Sequence, residues 1–333
     1  MTLMSKLLNG KRVFVDTQVF RAARFAVSTP SFAKLRELCE TQKLTLLTTE
    51  ITRREIDAQI PEVAAEISKV LKKAAEFVSL LHQPGIVVFG VPVNNLTMDE
   101  LINALAKQIN DFFEKCHVEQ VKLPQTALAT VLDLYFERKP PFGAGKKKAE
   151  FPDAFVLEAL KSKAGLNDES VYVVSGDLDF ADACKLHPHL EHVETLSHFL
   201  DRYNAHADTI KQVHATVKRN FKQIEKKLQD IIKSLPGELR DHAGFVQLNA
   251  VQLADILDTL VVSCDGPTAS VEFVCHVDVK ASLEISDPTD TQPDFRNVDQ
   301  MEVVNITLEF KFDPANDEVF EVQTYWSPMS LSF

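Results

Sequence analysis

Three short apolar runs constrain this chain more than anything else in it. Val13-Phe14-Val15, Leu44-Thr45-Leu46-Leu47 and Val171-Tyr172-Val173-Val174 are rich in β-branched, aliphatic and aromatic residues, the mark of buried strands. A helical pattern follows each. Strands that alternate with helices imply a mostly parallel sheet covered on both faces. His192-Val193-Glu194-Thr195 reads as a weak last strand, and Pro61 as an early kink or break in the helix after the second run.

The residues just past these runs are acidic. Asp16 ends the first, Glu50 and Glu55 sit on the helix after the second, and Asp177 and Asp179 follow the third. Asp153 opens a helix after Pro152. Glu50 and Glu55 are five positions apart, about 140° round a helix, so both cannot face one site. In an open α/β sheet the crevice past the carboxyl ends of the strands is where sites form. A lone acid there is usually a solvated loop residue or a helix cap. Here all of them fall at one topological level. Carboxylates that converge repel one another unless a cation joins them, and oxygen-only donors select Mg²⁺ or Mn²⁺. Such a centre hydrolyses phosphodiesters by activating water.

The net charge of −12 argues against a nucleic-acid partner until it is divided. Residues 1–204 carry 25 basic and 27 acidic side chains, residues 205–234 carry 7 and 3, and residues 235–333 carry 4 and 18. The acidity belongs to the C-terminal third. Arg138 to Lys148 is a Pro- and Gly-rich loop leading into Asp153. Its Arg138, Lys139, Lys146, Lys147 and Lys148 are suited to holding a phosphate chain, or simply to solubility. Arg21, Arg24, Arg53 and Arg54 are secondary candidates. His187, His189 and His192 have a metal-like spacing, but Pro188 lies between two of them and no second ligand cluster accompanies them. A loop before the last strand is the expectation.

Residues 206–233 read as one long polar, basic helix. Beyond Pro236 the apolar period becomes two. Val271 to Ile285 alternate without a miss, as do Val304 to Phe312, and Phe320 to Trp326 do so more weakly. Three strands with one apolar face imply an antiparallel sheet, with a helix over 249–258 as its cover and a long loop from Ser286 to Gln300. The expected organisation is a domain over 1–204 with a helical insertion at about 84–138 and a short strand within Pro84–Asn95. A connecting helix over 205–234 and an acidic α+β domain over 235–333 complete it. The five cysteines are scattered and form no CxxC, no stretch is apolar enough to span a membrane, and the N-terminus does not read as a signal peptide. A cytoplasmic protein is expected.

The acids and their neighbours resemble the PIN domain, the fold of many metal-dependent nucleases. Val13-Phe14-Val15-Asp16-Thr17 resembles its opening strand and first acid. Thr49 to Glu55 resembles its second-acid segment and favours Glu55 over Glu50. Asp153-Ala154 resembles the third, and Ser175-Gly176-Asp177-Leu178-Asp179-Phe180 the fourth. The resemblance covers about residues 10–200 and departs from a minimal domain in the long interval between Glu55 and Asp153, where Glu150 could also join the site. It implies a PIN-like α/β fold and a nuclease preferring RNA to DNA. Asp16, Glu55, Asp153 and Asp177 would hold Mg²⁺ or Mn²⁺, Asp179 would assist, and Thr17 or Ser175 would orient ligands. It also suggests a bacterial toxin or defence effector. From its charge, the acidic domain reads first as plain acidic solubility, and otherwise as a contact for a second copy or a regulatory protein or as a restraint on the nuclease. The other readings are a non-catalytic PIN-like scaffold and, from Asp177-Leu178-Asp179 alone, a haloacid-dehalogenase-type phosphatase.

Overall fold

The alternation of strand and helix closes into a five-stranded sheet, all of it parallel. In this computed structural model the described residues are 10–80, 97–142, 150–165, 169–204, 208–235, 237–239, 244–265, 268–285, 294–312, 319–326 and 329–331. The chain divides into two compact units, Lys6–Phe199 and Leu200–Phe333.

The first unit begins with β1 (Arg12–Val15), α1 (Thr17–Ala22), α2 (Pro30–Glu40), β2 (Thr45–Thr49), α3 (Glu50–Leu80), α4 (Met98–Lys115) and β3 (Glu119–Val121). It continues with α5 (Ala127–Glu137), α6 (Phe151–Lys161), β4 (Val171–Val174), α7 (Leu178–Lys185), β5 (Leu190–Val193) and the start of α8 (Leu196–Asn204). The sheet order is β3-β2-β1-β4-β5. The chain runs outward one way through β2 and β3, then returns to the far side of β1 with β4. β1 and β4 therefore flank the switch point, where such sheets open a crevice.

Both faces are buried, as continuous apolar strands require. Phe14, Leu47 and Val173 pack with Val156, Leu157 and Leu160 of α6 and Phe180 of α7. Tyr172 alternates with Val173, points to the other face and meets Phe199 of α8. Phe20, Phe32, Phe112 and Phe113 form a further aromatic cluster, with centroids 5.0–6.1 Å apart.

Three expectations change here. α3 runs through Pro61 without ending; Ile60, Val63 and Ala64 are buried on either side of it, and that packing outweighs the one backbone bond a proline removes. The stretch around 84–138 is not purely helical, because β3 within it pairs in parallel with β2 as the sheet's edge. The strand expected within Pro84–Asn95 lies outside the described residues.

The second unit holds α9 (Asp208–Arg219), α10 (Phe221–Ser234), β6 (Gly237–Leu239), β7 (Gly244–Asp265), β8 (Thr268–Ile285), β9 (Asp294–Phe312), β10 (Val319–Trp326) and β11 (Met329–Leu331). β7 to β10 form an antiparallel sheet in the order β10-β9-β8-β7, and β6 pairs in parallel with β11. The alternation from Val271 to Ala281 is the inward face of β8, with every second residue at 0–1% exposure.

Its cover is not a helix over 249–258, which is part of β7. Four register shifts, between Leu248/Ala250, Leu253/Asp255, Ile256/Asp258 and Val261/Ser263, interrupt that strand. Each shift inserts a residue. The inward apolar positions Leu248, Val251, Leu253 and Ile256 then depart from a strict period of two. The long basic helix is two helices, α9 and α10, and they supply the cover. Val213 and Val217 of α9, with Ile224, Leu228 and Ile232 of α10, pack on the buried face of the sheet. Of the loop expected from Ser286 to Gln300, the part from Asp294 on belongs to β9, and 286–293 lie outside the described residues.

Candidate active site

The acids reach the switch point through short, regular strands. Val15 pairs with Val174, and the Asp16 N–H donates to the Val174 carbonyl at 2.9 Å, so the ends of β1 and β4 are level. Asp16 occupies the cap position of α1 without capping it. Its Oδ2 instead accepts from Ser175 Oγ at 2.7 Å. That hydroxyl also accepts from the Asp177 N–H at 3.1 Å. Ser175 is fully buried and so ties the two acidic strand ends together. Asp177 caps α7, accepting from the Asp179 N–H at 2.7 Å.

On the other side Thr17 Oγ1 donates to Glu55 Oε2 at 2.9 Å. Thr49 Oγ1 accepts from the Thr52 N–H at 3.1 Å, which caps α3 and fixes the turn from which Glu55 projects. Glu50 faces elsewhere: it pairs with Arg54 at 2.9 Å and accepts from Gln120 at 3.0 Å.

Asp153, in the first turn of α6, reports the electrostatics of the group. Burial raises its pKa first, then the charges of Asp16, Glu55, Asp177 and Asp179, to about 8. Asp16 is raised by burial and by Asp177, against the opposing bonds from Ser175 and the backbone. Glu55 is raised by burial and Asp16, offset by its bond from Thr17. Asp179 is raised by burial, Asp177 and Asp182. The five carboxylates thus lie in one another's field. Among the described residues, however, no three His, Cys, Asp or Glu side chains are already drawn together as a metal-holding group. The donors fit a hard divalent cation in kind: they are all oxygens, and they crowd one another. Glu150, one turn before Asp153, has a buried Oε2 with no hydrogen-bond partner among the described residues, but it is not among the charges that act on Asp153.

The basic loop is less informative. Arg138 is exposed and ends α5 in a left-handed conformation, φ 56°. Lys139 is paired with Glu137 at 2.6 Å. Lys146, Lys147 and Lys148 lie outside the described residues. Arg21 is paired with Glu62 and Glu66, and Arg54 with Glu50.

Sequence reasoning missed His192. It lies in β5, within the weak last strand expected from the sequence, and its Nε2 donates to the Ser175 carbonyl oxygen at 2.6 Å. A carbonyl only accepts, so Nε2 carries the proton. The ring thereby braces the residue that holds Asp16. The signal in the sequence was its place in the weak last strand, two residues from Glu194.

A family model described as a PIN domain matches residues 13–180. No curated protein and no solved structure matches the chain. No helix among the described residues is long and apolar enough to cross a membrane.

Proposed function

This chain belongs to the PIN-domain family, and from that premise we propose that it is a metal-dependent endonuclease acting on RNA ahead of DNA. The observation that carries the reading is Asp153, raised to about 8 by burial and by four neighbouring carboxylates. An acidic crowd of this kind is costly to keep unless a cation relieves it.

Asp16, Glu55, Asp153 and Asp177 would hold Mg²⁺ or Mn²⁺, with Asp179 assisting. A divalent ion at such a site lowers the pKa of bound water and offsets charge on the phosphate. The chain's own residues position and neutralise. Ser175 fixes Asp16 and the Asp177 backbone, Thr17 fixes Glu55, and His192 fixes Ser175. Arg138, Lys139, Lys146, Lys147 and Lys148 would hold the phosphate backbone. A phosphatase reading gives way to the family match. The toxin or defence role is tested by expression: wild type arrests growth and Asp177→Asn does not, and equal toxicity would end that idea. The acidic unit is read as the contact for a second copy or a regulator, by its charge.

The test is a Mn²⁺ titration by calorimetry of wild type and the double variant Asp16→Asn/Asp177→Asn, with cleavage assays of mixed RNA and single-stranded DNA. Binding and cleavage should vanish together in the variant. The rival is a PIN-like scaffold without catalysis. That rival predicts no Mn²⁺ affinity in the wild type.

A further inference from the structure

The first turns of α3 present two different surfaces. Glu55 faces the acids. Arg53, two positions earlier and about 200° round the helix, lines a separate cavity of about 510 Å³ with Asn110, Phe113, Glu114, His117 and Gln120. The cavity is built from α3, the end of α4 and β3, on the β2–β3 edge of the same sheet.

Its polar groups are already oriented. The Arg53 guanidinium carbon lies 4.6 Å from the Phe113 ring centroid, so a flat cation is stacked on a flat ring. Arg53 Nη2 donates to Asn110 Oδ1 at 2.8 Å, which leaves the Asn110 amide nitrogen as a donor. Gln120 Nε2 donates to Glu50 at 3.0 Å, which leaves its oxygen as an acceptor. Glu114 is exposed and adds a carboxylate. The lining therefore holds a planar stacking surface, donors on Arg53 and Asn110, and acceptors on Glu114 and Gln120. At the rim, His117 closes α4 with a left-handed backbone, φ 48°, its N–H donating to the Glu114 carbonyl at 3.0 Å and the Val118 N–H to the Phe113 carbonyl at 3.2 Å, an ordinary helix C-cap. The Thr48 hydroxyl, from β2, is buried beside the cavity with no hydrogen-bond partner among the described residues.

We propose that this cavity binds one unpaired guanine of the substrate strand, beside the cleavage site and distinct from it. Single-stranded RNA is read by stacking a splayed base on an aromatic or guanidinium plane and bonding its edges. Guanine stacks on the open face of the Arg53 plane and offers acceptors at O6 and N7, which suit the Asn110 amide. It alone also presents two adjacent N–H donors, N1 and N2, which match one carboxylate. Glu114 is that carboxylate. A cavity of this size takes a base with its sugar and phosphate. The inference rests on the nuclease reading for its substrate, and the experiment separates the two.

Calorimetry in EDTA measures GMP, AMP, CMP and UMP on the full chain. GMP should bind about tenfold or more tighter than the others, and Glu114→Gln should remove that preference. Arg53→Ala should weaken all binding about tenfold, while Asp153→Asn leaves it unchanged. Glu114 is on the surface, so its variant keeps the fold. A short single strand with one guanine should compete with GMP, and the same strand with inosine in its place should compete less well. Equal binding of the four nucleotides, or a Glu114→Gln protein that still prefers GMP, overturns the proposal. A GMP site that no strand can occupy overturns it in favour of a free-nucleotide site. Cleavage with Mn²⁺ is scored separately. Guanine binding without any cleavage would end the nuclease reading and leave the pocket. Cleavage at positions unchanged by Glu114→Gln would end the pocket's role and leave the nuclease.

Discussion

The two sheets of this molecule put their residues to opposite uses. The parallel sheet has strands of three to five residues, and its acids lie past their ends, where like charges crowd. The antiparallel sheet has strands of 22, 18, 19 and 8 residues and an apolar face closed by two helices. One arrangement holds charge that destabilises it, and the other holds packing that stabilises it. A change at the first should alter chemistry with the fold intact, and a change at the second should do the reverse.

The largest effect is expected in the second sheet. Phe273 is fully buried on β8, within the cluster that includes Leu228 and Ile306. Phe273→Ala should destabilise its unit by about 3–5 kcal/mol, read from chemical denaturation by circular dichroism. Mn²⁺ affinity, measured where the protein is folded, should stay at the wild-type value. A loss of metal affinity in the folded protein would break the division between the two sheets.

Next comes Asp153→Asn. It removes an anionic ligand from the proposed centre, and cleavage should fall by more than about 100-fold, beyond the range for residues that only support ligands. The melting temperature at pH 6 without divalent ions should not fall, because a carboxyl group with a pKa of about 8 is neutral there, as the amide is. Unaltered cleavage would remove Asp153 from the site.

What could be read in the sequence follows the same division. β1, β2 and β4 announce themselves because each is buried on both faces and so carries unbroken apolar residues. Their terminal acids could be placed because a two-face-buried strand fixes where its carboxyl end lies. β3 could not be read: Glu119-Gln120-Val121 is a three-residue edge with one apolar side chain. β7 was misread as a helix because its bulges shift the apolar positions off a period of two. The Arg53 cavity and the His192–Ser175 bond join residues far apart in the chain, and no local pattern encodes them. Helix geometry said only that Glu50 and Glu55 could not share one site, the resemblance chose Glu55, and the fold shows Glu50 held by Gln120 from β3.

Ser175→Ala tests the support rather than the ligands. Its hydroxyl bonds both Asp16 and the Asp177 backbone, so its loss frees two acids of the cluster at once. Cleavage should drop about 10–100-fold, the usual effect of removing a group that orients a ligand. Ser175→Thr keeps the hydroxyl and should recover part of the activity. A drop equal to that of Asp153→Asn would mean Ser175 acts directly on the substrate.

The smallest effect is the most particular to the acidic sheet end. Asp153 has a folded pKa raised from 3.8 to about 8. The native state therefore binds a proton that the unfolded state has already released. By linkage, stability falls as pH rises between those two values. The contribution is whole below about pH 4 and lost above about pH 8. In EDTA the first unit should melt at a lower temperature at pH 8 than at pH 6, and Asp153→Asn should flatten that difference. A divalent cation relieves the same repulsion only when the acids are ionised, so Mn²⁺ should raise the melting temperature more at pH 8 than at pH 6. Phe273→Ala, in the other sheet, should leave this pH dependence unchanged. A wild-type melting temperature that rises from pH 6 to pH 8 in EDTA would show that the acids do not crowd in solution, and the contrast between the two sheets would lose its electrostatic half.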